Sequence, residues 1–369
     1  MPSIHKKTLV LSREDIQEIS RAHSLDRIMD LLIERLEASM LTYDQKQITT
    51  PARAGFNYVK PALGLVEWMP IYEHGKDVTI KVVGYHPDNP QQFDLPTIIS
   101  SISAYDTQTG HLIGIMDGVL PTALRTGAAS AIAAKYMAKA SSTRLGLLGC
   151  GAQSVTQLHG LSRIFPLEEV YIYDTNPLAL TSFAQRIAPL NLKIDVIPAS
   201  LEEVVAQVDI LVTATSIDVG AGPLFEDLHT QPHLHINAIG SDFPGKIEVP
   251  KRFLKKSFVC PDFLAQAVIE GECQQLDRED IDAEIVQLVQ DPRKYEFVKN
   301  QTSVYDSTGW ALQDKLTFAL FMELGKELGM GQLIEIENMS GDASNPYDFM
   351  QEKEPLELRV LETLKSQEG

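Results

Sequence analysis

The run Leu145-Gly-Leu-Leu-Gly-Cys-Gly-Ala-Gln-Ser154 constrains this chain more than any other feature. An apolar strand signal at 144–148 leads into Gly149 and Gly151. A helical signal over 152–164 follows, with Val155, Leu158 and Leu161 on one face. Glycines at such a turn let the backbone bend tightly and let a pyrophosphate approach the main chain. The helix start adds free N–H groups and a partial positive charge. Ser154 stands where a third glycine is usual, and its small side chain still lets helix and strand pack closely. The next apolar run, 170–174, ends in Asp174, 23 residues beyond Gly151. A carboxylate there accepts hydrogen bonds from both ribose hydroxyls and repels a 2′-phosphate, so NAD is expected over NADP. Asp174 also reads as a turn aspartate in Asp-Thr-Asn-Pro. The ordered combination is stronger than any single part.

Around that turn the chain alternates between the two periodicities. An alanine-rich helix is expected over 122–140 and another helix over 178–187. Strands are expected at 194–198, 209–215, 233–239 and 258–261, and Ser200 with Glu203 forms a capping box before Val204 and Val205. Such alternation implies a parallel sheet covered by helices on both faces. Residues before 120 differ. One helical stretch, 16–40, carries Ile28, Leu31, Leu32, Leu36 and Met40, and short strand-like runs follow at 63–69 and 78–83. Glycines 55, 64, 75 and 84 and the Pro-containing stretch 86–96 punctuate them, which suggests an antiparallel or mixed sheet. A last helix runs from after Trp310 to about 329, with leucines at 312, 316, 320 and 324. Beyond 334 the tail holds nine acids and three bases; it either frays or docks a short helix through Leu358, Leu361 and Leu364.

Composition excludes several partners. Fifty acids against 32 bases give 369 residues a net charge of −18, a field that repels nucleic acid and anionic lipid. No apolar run approaches the roughly 18 residues of a membrane span. The first residues show no signal-peptide core. Three scattered cysteines (150, 260 and 273) make neither a disulfide framework nor a zinc site. His233 and His235 alternate along one strand signal, but no carboxylate or cysteine stands at ligand spacing, so no metal is expected. A cytoplasmic protein is the expectation.

Ligands of parallel sheets sit beyond the strands' carboxyl ends. Two strand signals end in polar loops there, at 213–216 and 237–246. The second carries Asp242, placed to shuttle a proton beside a nicotinamide; by position alone it reads first as a turn aspartate. Arg53, Lys81 and Arg125 are cations suited to a carboxylate, although each taken singly reads as a solvated surface charge.

Seven motifs, in order, resemble the ornithine cyclodeaminase/mu-crystallin family. They are Gly64-Leu-Val-Glu-Trp-Met-Pro70, Ile80-Lys-Val-Val-Gly-Tyr-His-Pro-Asp-Asn89, Thr122-Ala-Leu-Arg-Thr-Gly-Ala-Ala129, Gly149-Cys-Gly-Ala-Gln-Ser154, Asn237-Ala-Ile-Gly-Ser-Asp-Phe-Pro-Gly-Lys246, Ile269-Glu-Gly-Glu-Cys-Gln-Gln275 and Tyr305-Asp-Ser-Thr-Gly-Trp-Ala-Leu-Gln-Asp314. The resemblance runs from about residue 51 to 331. It implies an α/β fold: a Rossmann-type doubly wound parallel sheet at 121–314 that binds NAD, plus a mixed α+β substrate and dimerisation domain at 1–120 to which 315–369 returns. By resemblance, Asp242 is the catalytic acid/base and Glu67 faces the substrate. Arg53, Lys81, Arg125 and Thr308 contact the substrate. Thr97, Arg125, Gly149, Gly151, Ala152, Gln153, Asp174, Thr215, Asn237, Ala238, Ile239, Gly240, Lys246 and Ser307 fall on cofactor positions. The implied reaction converts L-ornithine to L-proline plus ammonia in a homodimer. The alternatives are a lysine cyclodeaminase, a net amino-acid dehydrogenase or ketimine reductase, and a non-catalytic binding protein of the mu-crystallin type.

Overall fold

The computed structural model describes residues 7–226, 228–337 and 342–350. Its strands form two sheets. The first contains β1 (Thr8–Leu11), β2 (Ile48–Thr49), β3 (Ala54–Tyr58), β4 (Gly64–Glu73), β5 (Asp77–Tyr85), β6 (Ile98–Asp106) and β7 (Leu112–Asp117). β4 to β7 run as an antiparallel meander, β2 and β3 both pair with β4, and β1 lies parallel to β7, so the sheet is mixed. Successive side chains of a strand point to opposite faces. Leu65, Met69 and Ile71 of β4 and Thr79 and Lys81 of β5 are buried on one face, while Val66, Trp68 and Pro70 are only partly covered on the other.

The helix expected over 16–40 is two helices, α1 (Arg13–His23) and α2 (Leu25–Leu41). Ser24 between them has φ 66°, which a right-handed helix cannot pass through, and its hydroxyl caps α2 by accepting from the Arg27 N–H at 3.3 Å. Ile28, Leu32, Leu36 and Met40 are fully buried, with Leu31 at the margin of the same core.

The chain crosses to the second sheet through α3 (Val119–Met137). There follow β8 (Arg144–Leu148), α4 (Ala152–Ser162), β9 (Glu169–Tyr173), β10 (Asp195–Pro198), α5 (Leu201–Gln207), β11 (Ile210–Thr213), β12 (His235–Ala238), β13 (Phe258–Pro261) and β14 (Ser303–Asp306). All are parallel, in the order β10-β9-β8-β11-β12-β14-β13. Leu145, Leu147 and Val212 face one core with Leu158 and Leu161 of α4; Leu148, Leu211 and Ile236 face the other with Val204 and Val205 of α5. Helices therefore cover both faces, and the sheet is doubly wound in the Rossmann manner. The capping box of α5 forms as expected, whereas the helix expected over 178–187 breaks at Ser182. The histidines are structural. His233 precedes β12 and meets Asp209 at 3.1 Å, and His235 is buried between Ser303 and Asn237, with burial lowering its pKa to about 4.

α6 (Ala311–Glu327) then carries the chain back, and β15 (Gln332–Ile334) adds antiparallel to β1. Leu358, Leu361 and Leu364 lie outside the described residues. Among the described residues no helix is long and apolar enough to cross a membrane.

Candidate active site

The strand order reverses at β8, and a cleft of about 860 Å³ opens at the carboxyl ends of the strands there. Gly149 makes the turn after β8 with φ +91°, and a Cβ on it would lie 2.6 Å from the Ala214 carbonyl, so only glycine fits. Gly151 has open space where a Cβ would stand, and it is the N-cap of α4. Ser154 is fully buried and its hydroxyl donates to the Gly149 carbonyl, which tightens the turn in the absence of a third glycine. Asp174 is a turn aspartate that also stands in the cleft. One oxygen accepts from the Cys150 N–H at 2.6 Å, the other makes the turn by accepting from the Asn176 N–H at 2.7 Å, and the residue lines the cleft.

Thr97, Ala152, Gln153, Thr215, Ile239, Gly240 and Lys246 line the same cleft. Asn237 and Ala238 do not. They sit inside β12 among parallel neighbours, fully buried beneath the cleft wall, and the Ala238 carbonyl holds the Ser307 N–H at 3.0 Å. Asp242, Lys246, Ile239 and Gln153 also belong to a smaller recess of about 110 Å³ at the far end, so the two spaces join. A dinucleotide suits this cradle. The turn has no Cβ at either glycine, a helix N-terminus faces the space, and the Gln153 Oε1 that lines it lacks a hydrogen-bond partner.

The recess collects charge from both sheets. Strand alternation and the register Met69↔Lys81 and Glu67↔Val83 put Glu67 and Lys81 on the face that lines it. Arg125 comes from α3, Asp242 from the loop after β12, and Ser307 and Thr308 from the loop after β14. Arg53 lies 3.6 Å from Glu67 and 3.0 Å from Glu270, and it donates to the carbonyls of Thr308 and Gly309. Lys81 is 1% exposed and donates to Asp314 at 3.0 Å. Burial and Arg125 depress its pKa, Asp314 pulls the other way, and it settles at about 7. Asp242 pairs with Lys246 at 3.1 Å, and Lys246 also sits 4.6 Å above the Tyr85 ring. Burial opposes the Lys246 charge, but Asp242 and Tyr85 outweigh it and keep its pKa above the ordinary lysine value. Burial raises the Glu67 pKa against the pull of Arg53, and raises that of Glu270 to about 8.

Four participants escape sequence reasoning. Glu270, Asp314 and Gln313 lie in motifs quoted above but have no distinguishing neighbours in sequence; only folding brings Gln313 within 2.8 Å of Arg125 and Glu270 to Arg53. The fourth, Glu248, is fully buried and accepts from the N–H and hydroxyl of Thr215 at 2.8 and 2.6 Å and from the Gly240 N–H at 2.9 Å, tying together the loops after β11 and β12.

Fold and recess together define a dinucleotide-dependent scaffold with a small charged pocket. The sequence profile of the ornithine cyclodeaminase/mu-crystallin family matches residues 9–324, and the chain belongs to that family. It is 38% identical over 344 residues to the L-lysine cyclodeaminase of Streptomyces rapamycinicus, covering 93% of this chain and all of the relative. A solved structure concerning recognition of L-lysine, L-ornithine and L-2,4-diaminobutyric acid by lysine cyclodeaminase superposes with a TM-score of 0.89 at 42% identity, over 92% of this chain and 99% of the other. An archaeal alanine dehydrogenase dimer with bound NAD superposes at 0.79 and 30% identity, over 90% of this chain and all of that one. These likenesses favour the lysine alternative over the ornithine expectation.

Proposed function

We propose that this chain is an NAD-dependent cyclodeaminase of an α,ω-diamino acid. Its main reaction on this reading is L-lysine to L-piperidine-2-carboxylate plus ammonia, with L-ornithine to L-proline the shorter homologue. The observation that carries the reading is the convergence of four cations (Arg53, Lys81, Arg125 and Lys246) and two acids (Glu67 and Asp242) on a 110 Å³ recess that opens into the dinucleotide cleft. On this reading Arg53, Glu67 and Lys81 of 1–120 meet Arg125, Asp242 and Thr308 of 121–314 around the substrate, and 121–314 supplies most of the cofactor contacts.

Gly149, Gly151, Ala152, Gln153, Asp174 and Thr215 hold NAD, which when bound supplies an acceptor that returns the same hydride. Arg53, Lys81 and Arg125 hold the α-carboxylate, aided by Thr308. Asp242 takes a proton from the α-amino group and returns it to the departing ammonia. Glu67 faces the ω-amine and keeps it unprotonated for attack on the α-carbon. Holding both ends of the substrate makes ring closure unimolecular, which contributes on the order of 7 kcal/mol. One methylene is worth only about 1–3 kcal/mol in a pocket, so both lysine and ornithine are expected to turn over.

A panel of lysine, ornithine and alanine with NAD tests this, with ammonia, cyclic product and nicotinamide absorbance read together. Ammonia and ring product without net NADH is the expected result. NADH accumulating with alanine would instead establish the dehydrogenase reading that the archaeal neighbour raises. For the cofactor, Asp174→Ala is expected to weaken NAD binding by on the order of tenfold and to lose discrimination against NADP, as read by titration of protein fluorescence.

The outer face of the first sheet suits a second copy of the chain. Phe56, 67% exposed, lies edge-on to Trp68 there, and Val82 and Ile99 are exposed on the neighbouring strands. Three buried, unpaired cysteines accord with the cytoplasm.

A further inference from the structure

Lys81 reaches the recess from strand β5 and Arg125 from helix α3, yet one carboxylate holds both. Asp314, in the first turn of α6, is 1% exposed and does not line the recess. Its Oδ1 accepts from Lys81 Nζ at 3.0 Å, its Oδ2 lies 2.9 Å from the same nitrogen, and Arg125 Nε stands 3.1 Å from Oδ1. Gln313, one residue earlier, accepts from Arg125 Nη1 at 2.8 Å. The second face of the guanidinium is closed by Gly309, where a Cβ would come within 3.1 Å of Nη1. Two buried cations therefore share one buried carboxylate. Both cations line the recess and Asp314 does not, so it holds them from behind.

We propose that Asp314 is the positioning residue of the carboxylate subsite, a shared counter-ion that fixes the Lys81 and Arg125 heads side by side so that an amino acid's carboxylate meets both. This rests on the functional reading above only for the identity of the amino acid. Without the shared anion the two heads repel, and Lys81, already hard to keep charged, gives up its proton. The carboxylate then loses the Lys81 charge from among its cationic partners. An isolated buried ion pair has uncertain value for stability; here the consequence falls on ligand affinity.

The test is Asp314→Asn in the full chain, with Asp314→Glu alongside. Each is loaded with NAD and titrated calorimetrically with L-piperidine-2-carboxylate and with the corresponding carboxamide, which keeps the ring amine and lacks the carboxylate charge. Asp314→Asn is expected to weaken the carboxylate by on the order of tenfold or more, the loss of a charged hydrogen bond, with the carboxamide and NAD affinities unchanged. Asp314→Glu keeps the charge but displaces it, and is expected to lose less; it carries the test if the Asn variant does not fold. In turnover the change is expected in KM and not in kcat. Equal loss for carboxylate and carboxamide, or parallel loss of NAD affinity, overturns the proposal, because a collapsed pocket would do that. So does an unchanged carboxylate affinity. If the wild type ignores the cyclic acid and turns over alanine, the same comparison is made with alanine and alaninamide; the subsite proposal then stands or falls independently of the reaction.

Discussion

Asp242→Asn is expected to reduce turnover by about 10²- to 10⁴-fold, the range of a lost general acid/base, while NAD still binds. The amide keeps the shape of the carboxylate but can neither take a proton from the α-amino group nor give one to ammonia. Asp242 lies where the recess meets the cleft, 3.1 Å from Lys246. Lys246 loses the negative charge of that partner in the variant but keeps an amide oxygen there, the Tyr85 hydroxyl at 3.3 Å and the ring beneath it, so the cofactor end remains furnished. Single-turnover experiments with α-deuterated substrate decide the case. Turnover at the wild-type rate removes Asp242 from the mechanism, and lost NAD binding reassigns it to the cradle.

The second large effect is expected from Lys81→Met, which keeps most of the stem and removes the charge. Asp314 retains Arg125, so no bare anion is left buried. Removing one partner of a buried charged contact costs a few kcal/mol, hence a fall in kcat/KM of roughly 10²-fold, with NAD affinity intact. The pH dependence carries a sign. Burial and Arg125 hold Lys81 down at about 7, so in the free enzyme its ammonium is present below that value and is lost as pH rises through it. Wild-type kcat/KM is expected to decline through that window, and Lys81→Met to lack the decline. Titration of the substrate's own amine is common to both profiles and cancels. A Lys81→Met profile that follows the wild type within a small factor would show that Arg53 and Arg125 suffice for the carboxylate.

What could be read from the chain beforehand followed periodicity. The doubly wound half is legible because alternation of 145, 147 and 148, and of 210–213, carries the signature of strands buried on both faces, and because Gly149 must turn with positive φ. The first half is less so. β1, β3, β6 and β7 carry weak or interrupted patterns, since one face of that sheet remains half open and β3 is mostly exposed. Ser24 broke a helix whose apolar spacing continues across it, because a capping serine looks like any other polar position. Asp242 and the cations were visible as residue types, and resemblance assigned their roles. Asp314, Glu248 and Glu270 were not, since each has at least one defining partner, respectively Lys81, Thr215 and Arg53, more than 20 residues away in sequence.

The alanine-rich α3 bears on how this cleft can move. Ala128, Ala131, Ala133 and Ala134 are all fully buried, and the helix packs against α2 on one side and α4 on the other. Small side chains leave no slack for a swing about a pivot, because any tilt separates backbones that touch almost directly. A rigid spindle of this kind permits translation along its axis, a shear. Arg125 rides on that spindle, so gliding of one half past the other would shift the guanidinium relative to Lys81 and couple ligand entry to the lengthwise setting of a single helix.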